Sequence, residues 1–130
     1  MKKIFSLIIL LVTISTTTFS QSSNKEILTK KWKVTELEEF GSKYELDDNR
    51  KDDWMEFNSD GTFTGLIYNG NVEGTWNATD TKVTISTNKK TSKTAINWIK
   101  VKTVKENQLI FTYQDGDLIQ ATLTLVPFSE

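Results

Sequence analysis

The chain has 130 residues, with 16 basic and 17 acidic side chains and a net formal charge of −1. That fits one domain and offers nucleic acid no basic surface to grip. There is no cysteine and no histidine, which excludes disulfides, thiolate or histidine zinc sites, histidine-ligated haem, and Ser-His-Asp or Cys-His catalysis.

Residues 1–20 read as a secretory leader. MKK is a short basic start, IFSLIILLVTI is an apolar run, and small Thr18 and Ser20 stand at the −3 and −1 positions. The run is shorter than the roughly 20 apolar residues a spanning helix needs. The expected product starts at Gln21 and runs to Glu130 as one exported domain, periplasmic or secreted. No cysteine follows the run, so no lipid anchor is expected. Lys2 and Lys3 fall in the leader, which makes the formal charge of the remainder −3.

After the leader, Ser23-Asn24-Lys25-Glu26 has the S-x-x-E spacing of a capping box and predicts a short helix over 24–30. Beyond it the apolar period is two, the period of a half-buried strand. KKWKVTEL is a first strand with Trp32 and Val34 on one face. GSKYELDDNRKDD, residues 41–53, is a charged loop. WMEFN sets Met55 beside Phe57, and Ser59-Asp60-Gly61 turns the chain so that Phe57 meets Phe63.

In FTGLIYNGNVEGTW, Asn69-Gly70 read as a two-residue hairpin turn pairs Phe63 with Trp76, Gly65 with Gly74 and Ile67 with Val72. Thr79-Asp80 as a second such turn sets Val83 opposite Trp76. Asp115-Gly116-Asp117 sets Tyr113 opposite Ile119 and Phe111 opposite Ala121. Between them, TNKKTSK is a basic, mobile loop, and a break in parity after Trp98 predicts a β-bulge near Ile99.

These elements amount to a short N-terminal helix and eight antiparallel strands in an up-and-down meander, all-β, closing as a small barrel. Its inward face is Trp32, Val34, Met55, Phe57, Phe63, Ile67, Trp76, Val83, Ile85, Ile96, Trp98, Leu109, Phe111, Tyr113, Ile119, Leu123 and Leu125. A two-sheet sandwich is the structural alternative.

LTKKWKVTELE, KDDWMEFNSDGTFTG, VEGTWNATDTKVTIS and QLIFTYQDGDLIQATLTLVP resemble the secreted lipocalin-like domain proteins of Gram-negative bacteria. That family carries G-x-W near its first strand, then D-D-x-W-x-F-x-x-D-G-T-F and a later G-T-W. Lys30 stands where the family has the first glycine, and the cysteines that many members carry around the acidic loop are missing. The resemblance implies a barrel, a small-molecule-binding role and no enzymatic activity. It also implies that the first hairpin loop lies across the open end of the barrel.

Asp47, Asp48, Asp52 and Asp53 crowd that loop, but their spacing is not that of a calcium loop and Lys43, Arg50 and Lys51 are interleaved. The four are expected to be solvated, with no metal or cofactor. Glu56 and Glu73 take the outer face, so no catalytic carboxylate pair forms. Lys89, Lys90, Lys93, Lys100, Lys102 and Lys105 read as a solvated face, which discourages edge pairing.

The candidate binding residues are Trp32, Phe57, Phe63, Gly65, Gly74, Trp76, Trp98, Phe111 and Tyr113. The facing glycines leave a notch, which the ring of Trp32 or Trp98 is expected to cover. Two functions stay open. One is a monomeric, non-enzymatic domain binding a small hydrophobic or amphipathic molecule at the barrel mouth; the other is a structural or protein-interaction domain with a self-filled core.

Overall fold

The computed structural model describes residues 23–129. The expected leader over 1–20 and its boundary at Gln21 lie outside the described residues. The first element is α1 (Asn24–Leu28), whose opening turn is closed by the Ser23 hydroxyl accepting from the Glu26 amide at 3.3 Å. The helix ends earlier than expected. Trp32 donates its indole N–H to the Leu28 carbonyl at 3.2 Å, and the Lys30 amide donates to the same oxygen at 2.7 Å. These donors satisfy a carbonyl that a helix end leaves without a partner.

Nine strands follow: β1 (Lys31–Glu39), β2 (Ser42–Tyr44), β3 (Trp54–Phe57), β4 (Thr62–Ile67), β5 (Gly70–Ala78), β6 (Val83–Thr87), β7 (Ile96–Lys105), β8 (Gln108–Asp115) and β9 (Gln120–Pro127). Their order is β6-β5-β4-β3-β1-β9-β8-β7, with every hydrogen-bonded pair antiparallel. Eight are the expected meander. The ninth, β2, is cut from the segment expected to be loop and pairs with β1 around Phe40 and Gly41. Both turn residues have positive φ, 53° and 76°, and such a turn matches the twist of antiparallel strands.

β1 lies between β3 and β9 and so joins the two halves of the meander. The remaining edges, β6 and β7, meet without a ladder, tied at one end by Thr87 Oγ1 donating to the Ile96 carbonyl at 3.1 Å. The result is an all-β, nearly closed barrel. One end carries α1 and the β3–β4, β5–β6 and β7–β8 turns. The other, the mouth, carries residues 45–53 and the β4–β5, β6–β7 and β8–β9 connections.

Phe57 faces Phe63, as the Ser59-Asp60-Gly61 turn requires. Three other registers differ from expectation, each by two residues. Phe63 faces Gly74 and Gly65 faces Val72, so the two glycines do not meet. The turn residues of that hairpin are Tyr68 and Asn69, at φ 51° and 60°. Asp53 Oδ2 accepts the Tyr68 amide at 2.9 Å and holds the chain in that turn. Gly70 has a different use, because a side chain there would run into Thr94.

Between β5 and β6 the Thr79 amide reaches the Lys82 carbonyl at 2.8 Å, so Trp76 faces Ile85 rather than Val83. Between β8 and β9, Asp115 Oδ1 accepts from the amides of Asp117 and Ile119 at 2.9 and 3.0 Å. This longer loop sets Tyr113 opposite Ala121 and Phe111 opposite Leu123. A shift of two leaves every side chain on its original face, which is why the apolar side survives all three changes.

β7 carries two ladder shifts, between Ile96 and Trp98 and between Val101 and Thr103, where one bulge was expected near Ile99. The first reverses the parity. Ile96 stays buried, Trp98 turns outward with 38% of its surface exposed, and Ile99 and Val101 pack against the core. The segment before β7, expected to be mobile, is hydrogen-bonded along β5. Lys93 and Asn88 donate their amides to Asn71 and Glu73 at 2.8 and 2.7 Å.

Trp32, Phe57, Phe63 and Phe111 fill the interior, all buried, and Trp76 packs edge-on against Phe57 with ring centroids 5.6 Å apart. Leu28 and Leu37 complete the core, while Val83 and Ile119 are only partly buried. Interiors of eight-stranded barrels are just wide enough for side chains to fill, and this one is filled by its own.

Candidate functional site

The segment between β2 and β3 positions the site. Amides of Arg50 and Lys51 both reach the Asp47 carbonyl, at 3.0 and 2.9 Å, and Asp47 Oδ1 accepts from the Asn49 amide at 2.9 Å. This single helical turn aims Arg50 into the barrel mouth, where it is buried. Its guanidinium donates to the Tyr113 hydroxyl at 3.1 Å and to Glu39 Oε1 at 3.2 Å, and lies 4.5 Å from the centroid of the Tyr68 ring. A planar fork with several donors suits two acceptors and a ring face at once.

Burial works against the charge on Arg50, but Tyr113, Glu39 and Asp53 outweigh it and hold its pKa above the usual value. Burial also pushes the Tyr113 phenol up, against the opposing pull of Arg50. The two groups therefore stay a cation and a neutral hydroxyl across the working range of pH.

Above this pair opens a pocket of about 420 Å³ lined by Leu37, Glu39, Tyr44, Glu45, Asp47, Arg50, Tyr68, Thr94, Tyr113, Asp115, Asp117 and Ile119. Tyr44 and Tyr68 stand about half exposed on its wall. Its five carboxylates outnumber its single arginine. The first loop thus lies over the barrel end and plugs it with one side chain, leaving a cup on the outside.

Asp53 supports the cup from beneath. It was expected to be solvated with Asp47, Asp48 and Asp52, yet it is 1% exposed. Its Oδ2 fixes the Tyr68 amide, and its Oδ1 has no hydrogen-bond partner among the described residues. Burial pushes its pKa up to about 6, with the Tyr68 and Asn69 amides and Arg50 opposing. Asp48 does face solvent, 3.4 Å from Lys51. No group of three or more carboxylates among the described residues is placed to hold a metal ion.

Of the nine candidate binding residues, Tyr113 alone lines this cup. Trp32 is sealed beneath α1; Phe57, Phe63 and Trp76 form the aromatic cluster at the helix end; Phe111 lies in the core; and Trp98 faces outward. The glycine notch is closed by neighbours other than Trp32 or Trp98. A side chain at Gly65 would meet the Trp54 carbonyl at 2.7 Å, Met55 Cγ at 3.0 Å and Val72 Cγ2 at 3.2 Å. One at Gly74 would run into the Ser86 carbonyl and approach the Phe63 ring to 2.9 Å.

Sequence reasoning missed Arg50, Tyr44 and Tyr68. One signal was available: Arg50 is the only arginine in a chain that otherwise uses lysine. A buried cation that must serve several acceptors is a position where lysine does not substitute.

The architecture is that of a small antiparallel β-barrel with a filled interior and one accessible mouth. A model of the lipocalin-like domain family matches residues 28–111, more than half of the chain, and the chain belongs to that family. Comparison with curated proteins and with solved structures gives no match. No helix among the described residues is long and apolar enough to cross a membrane.

Proposed function

We propose that this chain is an exported, monomeric, non-enzymatic domain that takes a small amphipathic molecule at the barrel mouth. The observation that carries the reading is the cup of about 420 Å³ above the Arg50–Tyr113 pair, walled by half-exposed tyrosines, in a barrel whose interior is otherwise occupied. That volume lies in the range of ordinary ligand pockets. Carboxylates outnumber Arg50 there, so a neutral or cationic polar end fits, with the apolar part against Tyr44 and Tyr68. Export rests on the leader pattern of residues 1–20. The absence of histidine and cysteine supports the non-enzymatic reading.

Native mass spectrometry of the purified protein, followed by titration with an alkylammonium probe, tests it. The double variant Tyr44→Ala/Tyr68→Ala is expected to weaken the probe by about ten-fold or more, the scale of losing the apolar surface of two rings. Equal affinity in parent and variant would remove the mouth as the site.

One observation favours a second reading, a protein-interaction domain. Phe40 and Leu118, 80% and 69% exposed, both line an outer groove that runs across β1, β9, β8 and β7. Exposed apolar pairs of this kind mark contact surfaces. Phe40→Ser would abolish such a contact and leave the alkylammonium titration unchanged.

A further inference from the structure

The barrel is not sealed between β6 and β7, and the reason lies in the sequence of both strands. β6 has five residues and β7 has ten, so β6 can cover only part of its neighbour. β7 pairs along its length with β8, with two ladder shifts, and has no ladder with β6. Toward the helix end the two edges part around a groove of about 540 Å³, which shares no residue with the mouth.

The floor and rim of this groove differ in chemistry. Val83, Ile99, Val101 and Val104 form the floor; they are partly buried, pack against the core, and still leave apolar surface open. Lys82, Lys100 and Lys102 stand on the rim, exposed, and no carboxylate among the described residues lines the groove. The ion pairs among the described residues use Lys43, Arg50 and Lys51 and none of these three. A solvated lysine face explains the charges alone. It does not explain four aliphatic side chains that the described residues leave only partly covered beneath them.

We propose that the β6–β7 groove is a second binding site, for a free single-chain amphiphile with an anionic headgroup. The alkyl chain lies over Val83, Ile99, Val101 and Val104, where covering apolar surface is favourable. The headgroup sits among Lys82, Lys100 and Lys102. A membrane surface would meet the lysines, whereas a free chain can also lie along the aliphatic floor. A peptide strand is disfavoured as well, because lysines along a sheet edge discourage pairing with another strand. The site is opposite in charge to the mouth, so one protein discriminates two headgroups at two places.

The test compares dodecanoate, dodecyltrimethylammonium and dodecyl maltoside below their micellar concentrations, followed by amide chemical shifts of the ¹⁵N-labelled protein. Dodecanoate is expected to bind saturably, with shifts centred on Val83, Ile99 and Val101. The triple variant Lys82→Gln/Lys100→Gln/Lys102→Gln should weaken it by about ten-fold, the combined scale of three exposed charge contacts. Raising the salt concentration should weaken it in the parent and much less in the variant. The single variant Lys100→Glu provides the same comparison should the triple variant fail to fold. Shifts centred on Tyr68 and Tyr113, equal affinity in the lysine variants, no saturable binding, or binding only to phosphatidylglycerol vesicles would each overturn the proposal. Of these outcomes only shifts centred on Tyr68 and Tyr113 bear on the mouth, which the alkylammonium titration reads separately.

Discussion

Asp53 and Tyr68 are linked by one hydrogen bond, from the Tyr68 amide to Asp53 Oδ2 at 2.9 Å, that sets the β4–β5 turn. Both turn residues then adopt positive φ, which a tyrosine seldom does. The Tyr68 ring is thereby raised over the mouth, 4.5 Å from the Arg50 guanidinium. A buried carboxyl outside the pocket thus decides where a pocket wall stands.

That arrangement has a pH signature. Burial favours the neutral acid, so the folded chain holds the Asp53 proton up to about pH 6, while the unfolded chain releases it near 3.8. Between those values the folded state binds more protons, and stability falls as pH rises. The window amounts to roughly 3 kcal/mol at most, from the constant linking pKa shift to free energy. Urea unfolding of parent and Asp53→Asn at pH 4, 5, 6 and 7 measures it. The difference between the two should shift in favour of the variant as pH rises and level off above pH 7. A constant difference would show that Asp53 ionises in the fold as it does unfolded.

The glycines give a second test. Valine at Gly65 places atoms against the Trp54 carbonyl, Met55 and Val72, all of them in the wall or core. Overpacking of this kind costs about 1–3 kcal/mol. Alanine at Gly74 meets the Ser86 carbonyl, which belongs to the β5–β6 ladder and cannot swing aside as a side chain would. Gly74→Ala should therefore cost about as much with a single methyl as Gly65→Val does with a larger side chain. Chemical denaturation of both variants decides it. A Gly74→Ala midpoint equal to the parent's would mean the β5–β6 pairing yields easily.

How far the sequence led is visible in the same residues. The face of most strands was legible from apolar alternation, because moving a strand by one residue puts its apolar side chains in water. Registers were less legible. A shift of two leaves the faces intact, so what selects between them is turn chemistry, and that chemistry was remote. Asp53 fixes Tyr68 across 15 positions, and Thr94 requires a glycine at Gly70. Trp98 was misplaced for a local reason: the shift after Ile96 reverses parity two residues earlier than the Ile99 break suggested. At the mouth, Arg50 and Asp53 were hidden among charges that alternate in sign. Composition identifies such a segment as loop and cannot show which two of its residues turn inward.

The tryptophans separate cleanly on this basis. Trp98 is 38% exposed on the outer face, so Trp98→Phe should change stability by no more than about 0.5 kcal/mol. Trp76 is buried and donates its indole N–H to the carbonyls of Asn58 and Thr62 at 2.9 and 3.0 Å. Trp76→Phe removes that donor, although the Gly61 and Asn58 amides still serve the two carbonyls. The lost hydrogen bond should cost about 0.5–1.5 kcal/mol, with lost ring packing in addition. Acrylamide quenching provides a second readout, because Trp98→Phe should remove the most accessible part of the quenchable emission and leave that of partly buried Trp54. Unchanged quenching would put Trp98 inside the barrel.

The mouth turns on Arg50, whose removal tests structure and function together. Arg50→Met keeps much of the apolar stem but leaves Glu39 without its cation and Tyr113 without its donor, both in a largely desolvated place. Breaking one side of a buried charged pair costs about 3–5 kcal/mol, and the partial exposure of Glu39 places this case below that range, at about 2 kcal/mol. Arg50→Lys should recover little, because an ammonium cannot span Glu39 and Tyr113 while stacking on Tyr68. The expected order of stability is therefore parent, then Lys and Met close together. Full recovery by lysine would reduce Arg50 to a point charge and remove the geometric argument for the plug. Alkylammonium binding should move the other way. With Glu39 unpaired and the guanidinium gone, the cup is more negative, so Arg50→Met should bind the probe more tightly per folded molecule, with a steeper dependence on salt. Weaker binding by a variant that remains folded would mean that Arg50 itself contacts the ligand.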